Sequence, residues 1–367
     1  MNLFTCDGSY KDDLKAYTET ILEVYGVSAK SSEREIICMS NEGNVVATKL
    51  YGDLIYHKKL MRKNAYKDAF DLYLKAAGIS VEDGKWTCSG KSYPQAFWNI
   101  GYFLMNYRRG AFLKECEQID IIEEMSLIDR MTKAFELGVA TLKVENISGA
   151  VNMVGRFLKE VSESDELFEQ LGPVIKEGIS ELIEGGKVNP EMLQNIPMLD
   201  TKEAYAKTAE DFFVEAAQDG YVFACNSLAA KEADRIIELY QDQLNGVAFL
   251  GDDSELNDSI INYICYLKLA ADKYESYAAN RLGLFYMTGE VLSSGNKAVF
   301  KDYIDTALAK EYFMKATVYP DENSAWGYFN LMKYFPKMYE KDIDLMNEHM
   351  DYIKELNLEV YSIAMDL

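Results

Sequence analysis

Apolar residues recur along this chain with the period of a helix. From Ala96 they fall at 96, 97, 100, 103 and 104, and from Ala278 at 278, 282, 285 and 286, in each case one face of an α-helix. The same faces carry a second regularity. An alanine is followed four positions on by a bulky apolar residue and at the fifth by Gly or another small residue. AFWNIG (96–101), AVNMVG (150–155), AANRLG (278–283) and ATKLYG (47–52) show it, with ACNSLA (224–229) and AWGYFN (325–330) as weaker copies. The anchor alanines lie 49, 54, 74, 54 and 47 residues apart. Recurrence on this scale predicts a stacked array of helical units. Gly inside a helix costs about 1 kcal/mol relative to Ala, so Gly52, Gly101, Gly155 and Gly283 predict places where a neighbouring helix comes close.

A second motif precedes many of these helices: DLYLKAAG (71–78), DRMTKAFELG (129–138), DFFVEAAQDG (211–220), CYLKLAADK (265–273) and EYFMKAT (311–317). Each predicts an amphipathic helix, with Gly78, Gly138 and Gly220 as left-handed stops. From the motif's Ala to the next anchor is 8 residues for 216→224 and 270→278, and 9 for 316→325. The other gaps are longer, 20 for 76→96 and 16 for 134→150. The short junctions predict that each second helix turns directly into the first helix of the next unit.

Together the two motifs resemble Sel-like repeats, helix–turn–helix units related to tetratricopeptide repeats. YLKLAADKYESYAANRLGLFY (266–286) carries the resemblance nearly position by position, and FVEAAQDGYVFACNSLA (213–229) carries it well. It covers roughly 44–360 and implies an all-α fold, an α-α superhelix or solenoid of stacked hairpins. Family units are usually shorter, so 79–93, 106–124, 159–202, 234–258 and 287–303 are expected to be stretched loops. The expected organisation is an N-terminal helical cap over 1–43, with helices near 10–25 and 31–40. Five units follow within 44–322, at 44–78, 94–140, 148–219, 221–273 and 275–317. A degenerate terminal segment over 323–367 closes the array. The insertion near 160–200 begins with the acidic stretch 160–169. Residues 163–200 are expected to form short extra helices, one of them starting at Asn189-Pro190.

Composition narrows the function. Of 367 residues 49% are hydrophobic and six are Pro, which favours long helices around a real core. A net charge of −22, from 38 basic and 60 acidic residues, repels phosphate backbones and anionic membranes. Arg108-Arg109 is too short a run to reverse that. No nucleic acid and no membrane partner is therefore expected, and a protein or peptide partner, neutral or basic, fits better. The six cysteines are scattered without a C-x-x-C pair, which suits a reducing compartment. MNLFTCDGSYKDD has neither the basic nor the apolar region of a signal peptide, and no apolar stretch approaches about 18 residues. The expected location is the cytoplasm.

Chemistry is sparse. His57 and His349 are the only histidines, and no zinc, nucleophile-elbow, P-loop or dinucleotide motif occurs. GDDSELND (251–258) lacks the spacing of a calcium loop. No catalytic residue, metal or cofactor is expected. One constellation stands out. Asn152, Asn226 and Asn280 each lie two residues after their anchor alanine, and Asn99 lies three after its own. Stacked repeats bring such positions into a row, and the resemblance implies a peptide-binding face there, with Trp98, Arg281 and Tyr328 beside it. The plainer reading is that these amides bond to neighbouring turns and hold the repeat together. The function expected is a non-enzymatic protein–protein interaction scaffold that binds on its concave helical face. Two further readings stay open: an immunity or antitoxin-like protein masking a basic toxin, and an enzyme whose site lies in the 160–200 insertion.

Overall fold

In a computed structural model the protein is described over residues 9–16, 33–56, 65–107, 119–145, 147–185, 200–244, 253–319, 321, 323–340 and 342–366. His57, Arg108-Arg109, Asn189-Pro190 and most of the insertion beyond residue 185 lie outside these. The described chain is an all-α helical repeat, interrupted by two β-hairpins. It divides into two compact units, residues 1–212 and 213–367.

In the first unit, a helical segment over 10–16 (α1) and α2 (Glu33–Asn41) precede the first hairpin, α3 (Val45–Tyr56) against α4 (Ala65–Ala76). The second hairpin pairs α5 (Pro94–Asn106) with α7 (Leu127–Val144), with the single turn α6 (Asp120–Glu123) between them. α8 (Ser148–Glu163) and α9 (Asp165–Glu184) follow, and α10 (Lys202–Gln218) crosses the division between the units. In the second unit, α11 (Val222–Leu244) packs on α12 (Asp253–Ala271), α13 (Ser276–Thr288) on α14 (Thr306–Ala316), and α15 (Ser324–Tyr334) on α16 (Ile343–Leu356), before the short α17 (Leu358–Ala364).

The periodic faces are the core. Ala96, Phe97, Ile100, Phe103 and Leu104 are all buried, as are Ala278, Leu282 and Phe285. Three of the seam glycines, Gly52, Gly101 and Gly283, receive large side chains. A methyl group on Gly52 would lie 2.7 Å from the Tyr73 ring, and one on Gly283 would lie 2.5 Å from the Phe313 ring. Both rings come from the second helix of the same hairpin. Gly101 instead faces Met153 Sδ of α8 at 2.8 Å and the Ala134 carbonyl of α7 at 3.2 Å. The small residue thus admits a ring or thioether into the first helix, which is how Ala and Gly become structural at these positions.

Several sequence expectations are corrected. Gly138 does not stop a helix. α7 runs on to Val144, and Gly138 is buried where a methyl group would meet Met153 at 2.8 Å and Val154 at 3.1 Å. Residues 165–184 form one long helix, with Pro173 inside it, rather than short pieces. The acidic stretch 160–169 ends α8 and begins α9, where Asp165 and Glu166 in the first turn complement the helix dipole. Residues 234–244 are helix rather than loop, because α11 extends that far.

Two other stretches expected to be loops contain strands. β1 (Ile79–Glu82) pairs with β2 (Lys85–Cys88), and β3 (Glu290–Ser293) with β4 (Asn296–Val299), both antiparallel. Their turns have both central residues at positive φ: Asp83 (49°) with Gly84 (73°), and Ser294 (50°) with Gly295 (79°). That is the mirror-type turn matching the strand twist, and Asp-Gly is its strongest sequence signal. Both hairpins close back onto the helix they leave. Ser89 N–H donates to Gly78 O at 2.9 Å, and Phe300 N–H to Gly289 O at 2.8 Å.

Candidate functional site

In residues 213–367 the first helices α11, α13 and α15 carry two adjoining hollows. One, of about 210 Å³, lies between α11 and α13. Ala229, Ala230 and Ala233 leave room on the α11 side, and Leu292 to Ser294 of the β3–β4 hairpin form one wall. The other, of about 390 Å³, lies between α13 and α15. Asn280 and Leu284 line one side, and Trp326, Phe329, Asn330, Lys333 and Tyr334 the other. Tyr277 and Arg281 line both hollows, so they form a shared ridge.

The ridge is braced. Arg281 donates to the Leu292 carbonyl, tying α13 to the hairpin, while Ser293 Oγ bonds to Asp234 of α11. Arg281 also neighbours the Tyr263 hydroxyl, whose pKa is raised by burial and lowered back in part by the guanidinium. Across the larger hollow, Trp326 packs edge-on against Phe329 with ring centroids 5.6 Å apart. Lys333 Nζ sits 4.9 Å from the Tyr334 ring centroid and 5.7 Å from that of Phe329. Tyr277 and Trp326 remain 39% and 36% exposed despite their size, which leaves aromatic surface open to solvent beside the hollows.

The amides sit at the seams between helices of successive repeats. Asn226 Nδ2 donates to Glu275 Oε2 at 3.0 Å, and Asn280 Nδ2 donates to the Asn323 carbonyl at 2.6 Å. Glu275 and Asn323 are the residues that cap the next first helix, α13 and α15 respectively. Glu275 also accepts from Ala278 N–H at 2.7 Å. Burial raises the Glu275 pKa, with these hydrogen bonds pulling the other way. In the first unit Asn99 hydrogen-bonds to the Tyr73 hydroxyl of the preceding hairpin. The Oδ1 atoms of Asn99, Asn152, Asn226 and Asn280 are buried and accept no hydrogen bond among the described residues. Trp98 lies over Gly149 at the first turn of α8, 2.9 Å from where a methyl group would stand, and contacts Tyr102 edge-on.

The structure therefore brings Asn226, Asn280 and Arg281 to the paired hollows. Trp98, Asn99 and Asn152 belong to the first unit. Tyr328 faces away from the hollows into the α15–α16 core: its ring stacks on Tyr352 at 5.4 Å and tilts on His349 at 4.6 Å, and its hydroxyl donates to Thr317 O. His349 is half-buried, with Nδ1 2.9 Å from the Tyr339 hydroxyl, and burial lowers its pKa. Among the described residues no group of three metal-ligating side chains comes together.

No family model matches the chain, and no curated protein does. Among solved structures it is similar to a protective antigen of uropathogenic Escherichia coli strains displaying an SLR fold. The identity is 16% and the TM-score 0.33, over 98% of this chain and 64% of that one. The chain thus spans just under two thirds of that protein's length.

Sequence reasoning missed Tyr277, Trp326 and Lys333. Tyr277 immediately precedes its anchor alanine and Trp326 immediately follows its own. A bulky aromatic beside a buried Ala must point off the core face, and that signal was available in the sequence.

Proposed function

We propose that the protein is an interaction module that binds an extended segment of another protein along the α11–α13–α15 face. The observation that carries this is the pair of adjoining hollows with exposed aromatic rings, Tyr277 and Trp326, on their rims. Aromatic rings beside a concave surface are the usual anchors of a protein interface, because they bury much area for little lost freedom. Asn226 and Asn280 act here as positioning residues. By tying each first helix to the next helix start, they set the width of the hollows. Trp98, Asn99 and Asn152 are proposed as a second contact area on α5 and α8, and Tyr328 as a support behind α15. No described helix is long and apolar enough to cross a membrane.

The test is a comparison of immobilised wild type, a Tyr277→Ala/Trp326→Ala double variant and a Leu358→Ser control in lysate of the native host. Leu358 is exposed on α17 and lines neither hollow. A protein retained by wild type and control and lost from the double variant is expected. Equal retention on all three would refute the assignment of this face.

A further inference from the structure

Among the described residues Arg281 and Lys333 are the only charged ones lining either hollow, and both are cations. This occurs in a chain with 60 acidic and 38 basic residues. Elsewhere in residues 213–367 three of the described cations are ion-paired: Arg235 with Glu238 and Glu255, Lys297 with Glu290, and Lys315 with Asp272 and Glu311. Lys273 donates to the Gly220 carbonyl and Lys354 lies over the Tyr361 ring, so what sets the hollows apart is that their charged lining is wholly cationic. Neither Arg281 nor Lys333 has a carboxylate partner among the described residues. Arg281 donates to the Leu292 carbonyl and neighbours the Tyr263 hydroxyl, and Lys333 lies over aromatic rings. Resting on the binding reading above, we infer that the hollow between α13 and α15 selects an acidic segment of its protein partner. A partner carboxylate would sit between Arg281 and Lys333, and an adjacent apolar side chain would lie on Trp326.

The physical case is one of range. The net charge of −22 acts at a distance, but at physiological salt it is screened beyond about 8 Å. A segment lying in the hollow between α13 and α15 meets that hollow's charged lining, Arg281 and Lys333, first. Aromatic walls exclude water from one side of the Lys333 ammonium, which strengthens its attraction for an incoming carboxylate. The planar guanidinium of Arg281, held by the Leu292 carbonyl, retains free N–H donors for a second oxygen. The same long-range charge weighs against a polyphosphate, whose many negative groups extend past the two cations.

Three tryptophans allow a direct reading. Protein labelled with 5-fluorotryptophan gives three ¹⁹F signals, and Trp326→Phe assigns the one that matters. The probes are degenerate pools of capped eight-residue peptides with one central Leu, Phe, Tyr or Trp. Their flanks are Asp/Glu in the first pool, Lys/Arg in the second and Asn/Gln in the third. An eight-nucleotide thymidine strand is the fourth probe. The acidic pool is expected to move the Trp326 signal at about a tenfold lower concentration than the neutral pool, the effect of roughly two modest ion pairs. Lys333→Glu, at an exposed site, should abolish that preference with the circular dichroism unchanged, and Lys333→Gln should weaken it. If the basic or neutral pool is as effective as the acidic one, the acidic assignment fails and the binding face stands. If the oligonucleotide matches the acidic pool, carboxylate selection is overturned in favour of any anion. If no probe moves the Trp326 signal, both the face and its selectivity are wrong.

Discussion

Gly283 has no room for a methyl group. Phe313 is fully buried and its ring stands 2.5 Å from where that group would be, so Gly283→Ala must push the ring or spread the hairpin. Overpacking of this kind costs about 1–3 kcal/mol, offset by about 1 kcal/mol of recovered helix propensity. A net loss is expected, read as a lower urea midpoint with an unchanged slope. Glu275 gives a second residue-scale prediction, through pH. Burial raises its pKa, so the folded state holds the proton more firmly than the unfolded chain, whose value is near 4.5. The stability that this carboxyl contributes is complete below that value and is lost as pH rises through the raised one. Glu275→Gln keeps an oxygen for Ala278 N–H and removes the buried charge. It should melt higher than wild type at pH 8, with the difference closing towards pH 4.

At the scale of elements, the helix junctions repeat a hydrogen-bond pattern more faithfully than a sequence. After α10, Gly220 N–H donates to Ala217 O and Tyr221 N–H to Ala216 O; after α12, Tyr274 N–H donates to Ala271 O and Glu275 N–H to Ala270 O. Both are Schellman-type ends, and the left-handed residue is Gly220 at φ 82° in one and Tyr274 at φ 60° in the other. A tyrosine in that conformation costs about 1 kcal/mol or more relative to Gly. Its ring is exposed and meets Tyr319 edge-on, with centroids 5.9 Å apart. Substitutions at the two equivalent positions should therefore have opposite signs. Gly220→Ala should lower stability by about 1 kcal/mol, while Tyr274→Gly should raise it by up to about 1 kcal/mol, less the lost ring contact. Thermal denaturation of the two variants distinguishes this from a uniform junction.

At the scale of the whole chain, charge sets the terms. With a net charge of −22, self-repulsion works against every compact arrangement, and its reach shrinks from about 30 Å at 10 mM salt to about 8 Å at 150 mM. The melting temperature should rise by a few degrees between those salt concentrations. A flat or falling profile would show that local ion pairs, which salt weakens, outweigh the global term.

How much of this was legible in the sequence depends on the range of the signal. The helical faces, the Ala/Gly seams and the direct turn from α12 into α13 were readable, because a 3.6-residue period and a small residue at a fixed offset are local facts. The hairpin turns were readable too, in Asp83-Gly84 and Ser294-Gly295, and were obscured by taking long gaps as loops. Gly138 could not be placed. The same residue type ends a helix or fills a tight contact, and only the arrival of Met153 and Val154 decides between them. The amides were visible as a row, but their hydrogen bonds to Glu275 and Asn323 span 49 and 43 residues. By itself the sequence determined which residues share a helix face and where hairpins nest, since both follow from periodicity within a few turns. Only tertiary structure decided which faces meet and which stay open. It joined Tyr277, Arg281, Trp326 and Lys333 along the paired hollows and left two cations there with no carboxylate partner among the described residues, because such neighbours come from different helices, whose packing no local pattern specifies.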